Sequence, residues 1–275
     1  MKTPLFLGLS AIALTSAFAP ATSGAAGVKL VNFCDSTTYV RVNDPDTVAL
    51  TLDIKTDYTF PAEGIAPANL IKMSDMLMSV TGVSYDVEGY PSPSDLTDYD
   101  GGKWVPATPS NSAAIAGMID SDKPYILTQL WSEEPVIKPL YNDNGLLSML
   151  ASNYVYTGGA HGMYFEYCVN YSVRDQKFVY LKDLLPGLDT PEGKKLYEEK
   201  LVPVLTQKAK EYVTSDPEVK LSLLVDKVNP TGNFAFTKDG IVLRYQPYEI
   251  APWAAGVVEV PLSYEEIDRI VKSVK

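Results

Sequence analysis

His161, the only histidine, is where catalytic chemistry would have to be sought first. It lies in Tyr156-Thr157-Gly158-Gly159-Ala160-His161-Gly162, beside a glycine pair that either admits a ligand or bends the chain tightly. The expected role is the structural one, with the imidazole bonded to nearby backbone. Zinc hydrolases gather two or three histidines with a carboxylate, and no H-E-x-x-H spacing occurs here. A Ser–His–Asp triad needs only one histidine, yet no G-x-S-x-G elbow marks a nucleophile. Cys34 and Cys168, the only cysteines, carry no local signature of a cysteine protease. Gly187 to Lys194 misses the P-loop spacing by one residue, and no G-x-G-x-x-G occurs. Asp95, Asp98 and Asp100 do not follow an EF-hand loop. Thirty-four acidic residues allow so many carboxylate pairs that their number says nothing about glycosidase chemistry. No metal and no cofactor is expected.

The elements that must position these residues alternate between sheet and helix. Thr47 to Phe60 places Val48, Leu50, Leu52 and Ile54 at period two, which predicts a half-buried strand. Ala66-Pro67 opens a short helix with Leu70, Met73 and Leu77 on one side. Residues 82–123 turn to Ser, Pro, Asp and Gly, a long loop-rich excursion. Strands are predicted at Tyr125 to Trp131 and Val136 to Tyr141. Asp143-Asn144-Gly145 is a hairpin turn before Leu146 to Tyr156, and Met163 to Val173 forms a further strand. Thr190-Pro191 starts a helix running toward Val213 that Pro203 should kink or divide. Phe234 to Thr237 and Ile241 to Tyr248 flank a second hairpin at Lys238-Asp239-Gly240, and Val257 to Leu262 is a strand. Ser263 and Glu266 then form a capping box before Ile267, Ile270, Val271 and Val274. The fold class is α+β, with two small subdomains of mixed or antiparallel sheet and packed helices. Residues 27–174 form the first, carrying the excursion at about 82–123, and residues 175–275 form the second.

The chain begins with Lys2 and the apolar run Leu5 to Leu14, followed by small residues. It reads as a secretory signal peptide over residues 1–26, and the run is too short to span a bilayer. Cys34 follows Phe33 too far along for a lipoprotein signal. In an exported chain, Cys34 and Cys168 are either a disulfide or two buried free thiols. Closing so long a loop would stabilise the fold by roughly 4–5 kcal/mol. A formal charge of −11 makes nucleic acid an unsuitable partner and suits a cationic one or simple solubility. Tyr outnumbers Phe by 18 to 8, and Tyr154, Tyr156, Tyr164, Tyr167 and Tyr171 read as packing at the core edge rather than a sugar platform.

Two segments carry a resemblance. Tyr156 to Gly162, and Tyr245-Gln246-Pro247-Tyr248-Glu249-Ile250-Ala251-Pro252-Trp253-Ala254-Ala255-Gly256 followed by a β-type run, are similar to the extracellular domain family of the lysozyme-sensing anti-sigma factor RsiV. Domains of this kind also stand ahead of the catalytic domain of a peptidoglycan deacetylase. The order of Phe178 to Leu185 and the helix after Pro191 follows the same pattern, and the resemblance runs from about Val48 to the C-terminus. It implies an α+β ectodomain of two subdomains and brings no catalytic residues. Pro247 and Pro252 set the backbone of the second motif, around which Tyr248 and Trp253 are expected to be buried.

Two functions follow from these readings. The favoured one is a secreted or periplasmic, non-enzymatic binding protein of the bacterial envelope. Its ligand would be a cell-wall glycan or a cationic wall-degrading enzyme such as lysozyme. The other is an envelope-acting hydrolase using His161 with acidic neighbours. The candidate ligand-binding residues are His161, Tyr156, Tyr248, Glu249 and Trp253.

Overall fold

The computed structural model describes residues 20–21, 27–42, 50–85, 91–93, 103–106, 130–215 and 221–274. The apolar run of the expected leader and most of the excursion at about 82–123 lie outside the described residues, as do Thr47 to Ala49 and Tyr125 to Gln129. The strands are β1 Pro20–Ala21, β2 Leu30–Val42, β3 Leu50–Pro61, β4 Val83–Tyr85, β5 Pro91–Pro93, β6 Lys103–Pro106, β7 Leu130–Asp143, β8 Leu146–Tyr156, β9 Met163–Ser172, β10 Lys177–Phe178, β11 Phe234–Phe236, β12 Gly240–Tyr245 and β13 Val258–Ser263. The helices are α1 Pro67–Thr81, α2 Leu181–Leu184, α3 Pro191–Lys200, α4 Val202–Val213 and α5 Tyr264–Ser273, with a 3₁₀ turn at Trp253–Ala255. This is the α+β class read from the sequence.

The larger sheet runs β1-β2-β3-β7-β8-β9-β10, with β6 also against β2. It is mixed because β3 and β7 run parallel while the other neighbours are antiparallel. A parallel pair needs a crossover, and α1 lies within the chain joining β3 to β7. The second sheet is the antiparallel meander β11-β12-β13, and β4 and β5 form a separate two-stranded antiparallel pair.

The two larger sheets each have their own core. Met73 and Leu77 of α1 pack on Tyr58, Ile137, Leu147, Met149, Ala151, Val169 and Tyr171 of the larger sheet. In the C-terminal half, Leu201, Leu205 and Ala209 meet Phe234, Leu243, Tyr245, Val258, Val260 and Leu262, closed by Ile267 and Ile270 of α5. Strand β8 is buried on both faces from Leu147 to Asn153. One face takes α1 and the other takes β11, through the small cluster of Leu150, Cys168 and Ala235.

That second contact is partly polar. Ser148 donates to Asn170 Oδ1 at 2.6 Å and accepts from the Phe236 amide at 2.8 Å. Asn170 donates to the Phe234 carbonyl at 2.7 Å, and Asn233 Oδ1 accepts from the Cys168 amide at 2.8 Å. These side chains satisfy backbone groups that a three-residue strand crossing a sheet would otherwise bury unpaired.

Several elements differ from their sequence reading for identifiable reasons. Strand β2 went unread because Asn32, Cys34, Asp35, Ser36, Thr37 and Thr38 break any alternation of apolar residues. Strand β7 is continuous where two strands were expected. Its prolines sit where the ladders are interrupted: Pro135 faces a gap in the β3 pairing, and Pro139 a register shift in the β8 pairing. The long helix is divided at Leu201, as Pro203 required, into α3 and α4. The capping box of α5 is present, with Ser263 accepting from Glu266 N and Glu266 accepting from Ser263 N. Among the described residues, no helix is long and apolar enough to cross a membrane.

Of the two alternatives for the cysteines, the free thiols are found, although only Cys168 is buried. Cys34 and Cys168 sit on β2 and β9, with β3, β7 and β8 between them. Four strand spacings amount to roughly 19 Å, far beyond the ~7 Å Cα separation that a disulfide tolerates. Cys34 is exposed and donates to Asn32 and Asp57, whereas Cys168 is buried at the junction of the sheets.

Candidate functional site

Two turns, one from each of the larger sheets, meet. The first joins β8 to β9. Gly158 and Gly159 both have φ of 96°, a conformation that costs little only without a Cβ. The Tyr156 hydroxyl donates to the Gly159 carbonyl at 3.0 Å and holds the bend. Gly162 is buried against the Tyr154 ring, where a Cβ would lie 2.5 Å from Tyr154 Cζ.

The second turn joins β12 to β13. Ile250 and Ala251 anchor it in the C-terminal core. Glu249 accepts from the Gln246 amide at 2.8 Å, and the Tyr248 amide donates to the Ala251 carbonyl at 3.0 Å. Tyr248 is thereby held at φ of 70°, unusual for an aromatic residue, and its ring is turned outward at 51% exposure. Pro252 leads into the 3₁₀ turn that carries Trp253.

The turns touch through three rings. His161 stacks on Trp253 at 4.5 Å between centroids and 13° between planes. Its Nε2 lies 3.1 Å from the Tyr248 hydroxyl, and its Nδ1 lies 2.8 Å from the Gly162 carbonyl. A carbonyl only accepts, so Nδ1 carries the proton and, in the neutral ring, Nε2 accepts from Tyr248. Tyr248 and Trp253 are 6.1 Å apart.

Beside this cluster opens a cleft of about 440 Å³, lined by Tyr154, Tyr164, Pro247, Trp253, Ala254, Gly256 and Val257. Tyr154 and Tyr164 come from the larger sheet and the rest from the second turn, so the cleft lies where the two sheets meet. Behind the Tyr164 wall is an ion cluster. Arg244 of β12 grips Glu166 of β9 with two bonds, Nε to Oε1 at 2.6 Å and Nη2 to Oε2 at 3.0 Å. Its Nη1 donates to Glu259 of β13. The Glu166 side chain is fully buried, Arg244 is 11% exposed and Glu259 is 42% exposed. Burial works against the Arg244 charge, but the bonds and attraction of Glu166, then Glu259, outweigh it and hold its pKa above the ordinary value. The Tyr164 hydroxyl donates to Glu166 Oε2 at 2.9 Å. Burial first, and the Glu166 charge second, push its pKa up to about 12, so it remains a neutral donor. The Gln246 amide completes the support by pairing with both the Glu166 N–H and its carbonyl, as a neighbouring strand would.

Of the five residues singled out in the sequence, His161, Tyr248 and Trp253 come together. Tyr156 and Glu249 instead hold the two turns. The expected burial of Tyr248 and Trp253 is corrected: Tyr248 is exposed and Trp253 half-buried, because the prolines present the rings outward while Ile250 and Ala251 take the core positions. Tyr154 and Tyr164 line an open cleft as well as edging the core. Glu166 and Arg244 were missed. Their signal was one charge of each sign, isolated within strands otherwise aromatic or branched, at Phe165-Glu166-Tyr167 and Leu243-Arg244-Tyr245. Among the described residues, no group of three His, Cys, Asp or Glu side chains could hold a metal ion.

Residues 190–265 match a family model, described as a protein of unknown function (DUF3298). The match includes the Tyr248–Trp253 turn but not His161. No curated protein matches the chain. Among solved structures, the chain is similar to a DUF3298 family protein from Pseudomonas aeruginosa PAO1, at 20% identity and TM-score 0.45, covering 86% of this chain and 92% of that one. It is also similar to a DUF3298 family member from Bacteroides fragilis NCTC 9343, at 19% identity and TM-score 0.49, covering 92% and 99%.

Proposed function

We propose that this protein is an exported, non-enzymatic binding protein of the bacterial envelope that holds its ligand in the cleft between its two sheets. The observation that supports this most is the character of the lining. Every residue of it is aromatic, apolar or glycine. Such a wall stacks a sugar ring or an apolar group but supplies no acid–base pair. Glu166, just behind it, is fully buried and neutralised by Arg244. His161 is engaged by the Gly162 carbonyl, Tyr248 and Trp253 rather than by a carboxylate, which favours binding over the hydrolase reading.

The ligand in this reading is a cell-wall glycan. A cationic wall-degrading enzyme such as lysozyme is the second reading, favoured by the charge of −11 and by the resemblance to the RsiV extracellular domain. Titration calorimetry of the exported chain against soluble peptidoglycan fragments, and separately against lysozyme, tests both at low and physiological salt. Saturable one-to-one heat that survives physiological salt and is lost in Trp253→Ala supports the proposal, provided the variant keeps its circular dichroism. No saturable heat with either probe, or cleavage of the fragments during the titration, would overturn it.

A further inference from the structure

The cleft wall is neutral, but the layer behind it is not. Tyr164 of the wall is bonded to Glu166. Val257 of the wall leads directly into β13, whose Glu259 also bonds Arg244. Arg244 alone is shared between these carboxylates, so the cluster carries one negative charge in excess. Glu166 is saturated by the two-pronged grip of Arg244 and by Tyr164. Glu259 gives Arg244 one oxygen, and its side chain is 42% exposed. The rings of Trp253, Tyr154 and Tyr164 add electron-rich faces that attract cations. At about 440 Å³ the cleft falls in the range that takes small ligands, and a single lysine side chain would leave most of it empty.

From these features we infer that the cleft selects a glycan bearing free amines, an amino sugar rather than its N-acetylated form. The sugar ring stacks on the part of Trp253 that His161 leaves uncovered, and the ammonium group is turned toward Glu259. This rests on the reading of the cleft as the ligand site and adds the charge of the ligand to it.

Two probes isolate that charge: the β-1,4 tetrasaccharides of glucosamine and of N-acetylglucosamine, which share a backbone and differ in the amine. Calorimetry on the full exported chain at about 0.15 M salt, where free surface charge is screened beyond ~8 Å, gives the comparison. Glucosamine tetrasaccharide is expected to bind about tenfold tighter, the scale of one cation held against aromatic faces and a carboxylate. Glu259→Gln should remove that preference by bringing the glucosamine probe down to the affinity of the acetylated one. Equal affinities, a reversed preference, or a preference that persists in Glu259→Gln would overturn the amine inference while leaving the cleft as the site. Binding of neither probe, or binding indifferent to Trp253→Ala, would remove the cleft reading and the inference with it. Tyr154→Leu serves in place of Trp253→Ala if the latter loses its circular dichroism.

Discussion

Replacing Arg244 by Met tests whether the ion cluster behind the cleft ties the two sheets together. Arg244→Met keeps much of the aliphatic stem but removes the guanidinium. Glu166, with a fully buried side chain, is then left with the Tyr164 hydroxyl as its main side-chain donor. Breaking a buried pair on one side costs about 3–5 kcal/mol, because the remaining charge is uncompensated. Glu166→Gln is the milder change, since Arg244 keeps Glu259 as a partner. It should cost about 1.5–3 kcal/mol, the scale of a hydrogen bond to a charged group. The double variant should therefore lose less than the sum of the two singles, with a coupling of about 1–3 kcal/mol. Urea unfolding at pH 7 on all four proteins of the cycle measures this, and total stabilities of about 5–15 kcal/mol leave room for it. An Arg244→Met loss below about 1 kcal/mol, or strictly additive singles, would refute the reasoning. Either result would mean that water reaches Glu166 and that the pair does not join the sheets.

Three further outcomes are expected. Gly162→Ala places a methyl 2.5 Å from the Tyr154 ring, which must move; a loss of about 1–3 kcal/mol in thermal melts is expected, and an unchanged midpoint would show that Tyr154 yields freely. Thiol titration should find two free thiols under non-reducing denaturing conditions. In the native state only Cys34 should react, slowly, because burial and then the Asp57 hydrogen bond and charge raise its pKa, while burial pushes Cys168 up to about 12; a mass two units lower than the reduced chain would contradict this. For Glu266, burial opposes the charge, but bonds to Lys208 and Ser263 outweigh it and lower the folded pKa. Its contribution is thus full above the unfolded value of about 4.3 and disappears as pH falls through the folded value, so Glu266→Gln should cost about 1 kcal/mol at pH 7 and almost nothing at the acid end of a denaturation series.

Local chemistry was legible before any fold was known. The turns at Asp143-Asn144-Gly145 and Lys238-Asp239-Gly240, the break enforced by Pro203 and the Ser263–Glu266 cap each depend on a backbone angle or hydrogen bond within a few residues. The sequence therefore determined them unaided, and with them the α+β class. It also brought out His161, Tyr248 and Trp253 as residues of interest, from two short motifs. What it could not state is that they meet. His161 and Tyr248 are 87 residues apart, and their contact follows from where the second sheet lands on β8 and β9. Only that landing decided that Trp253 stays half-exposed above a cleft, that Glu166 and Arg244 find each other, and that Cys34 and Cys168 do not. The physical reason is that periodicity records which face of an element is buried, whereas strand order and the docking of one sheet on another depend on surfaces far apart in the chain.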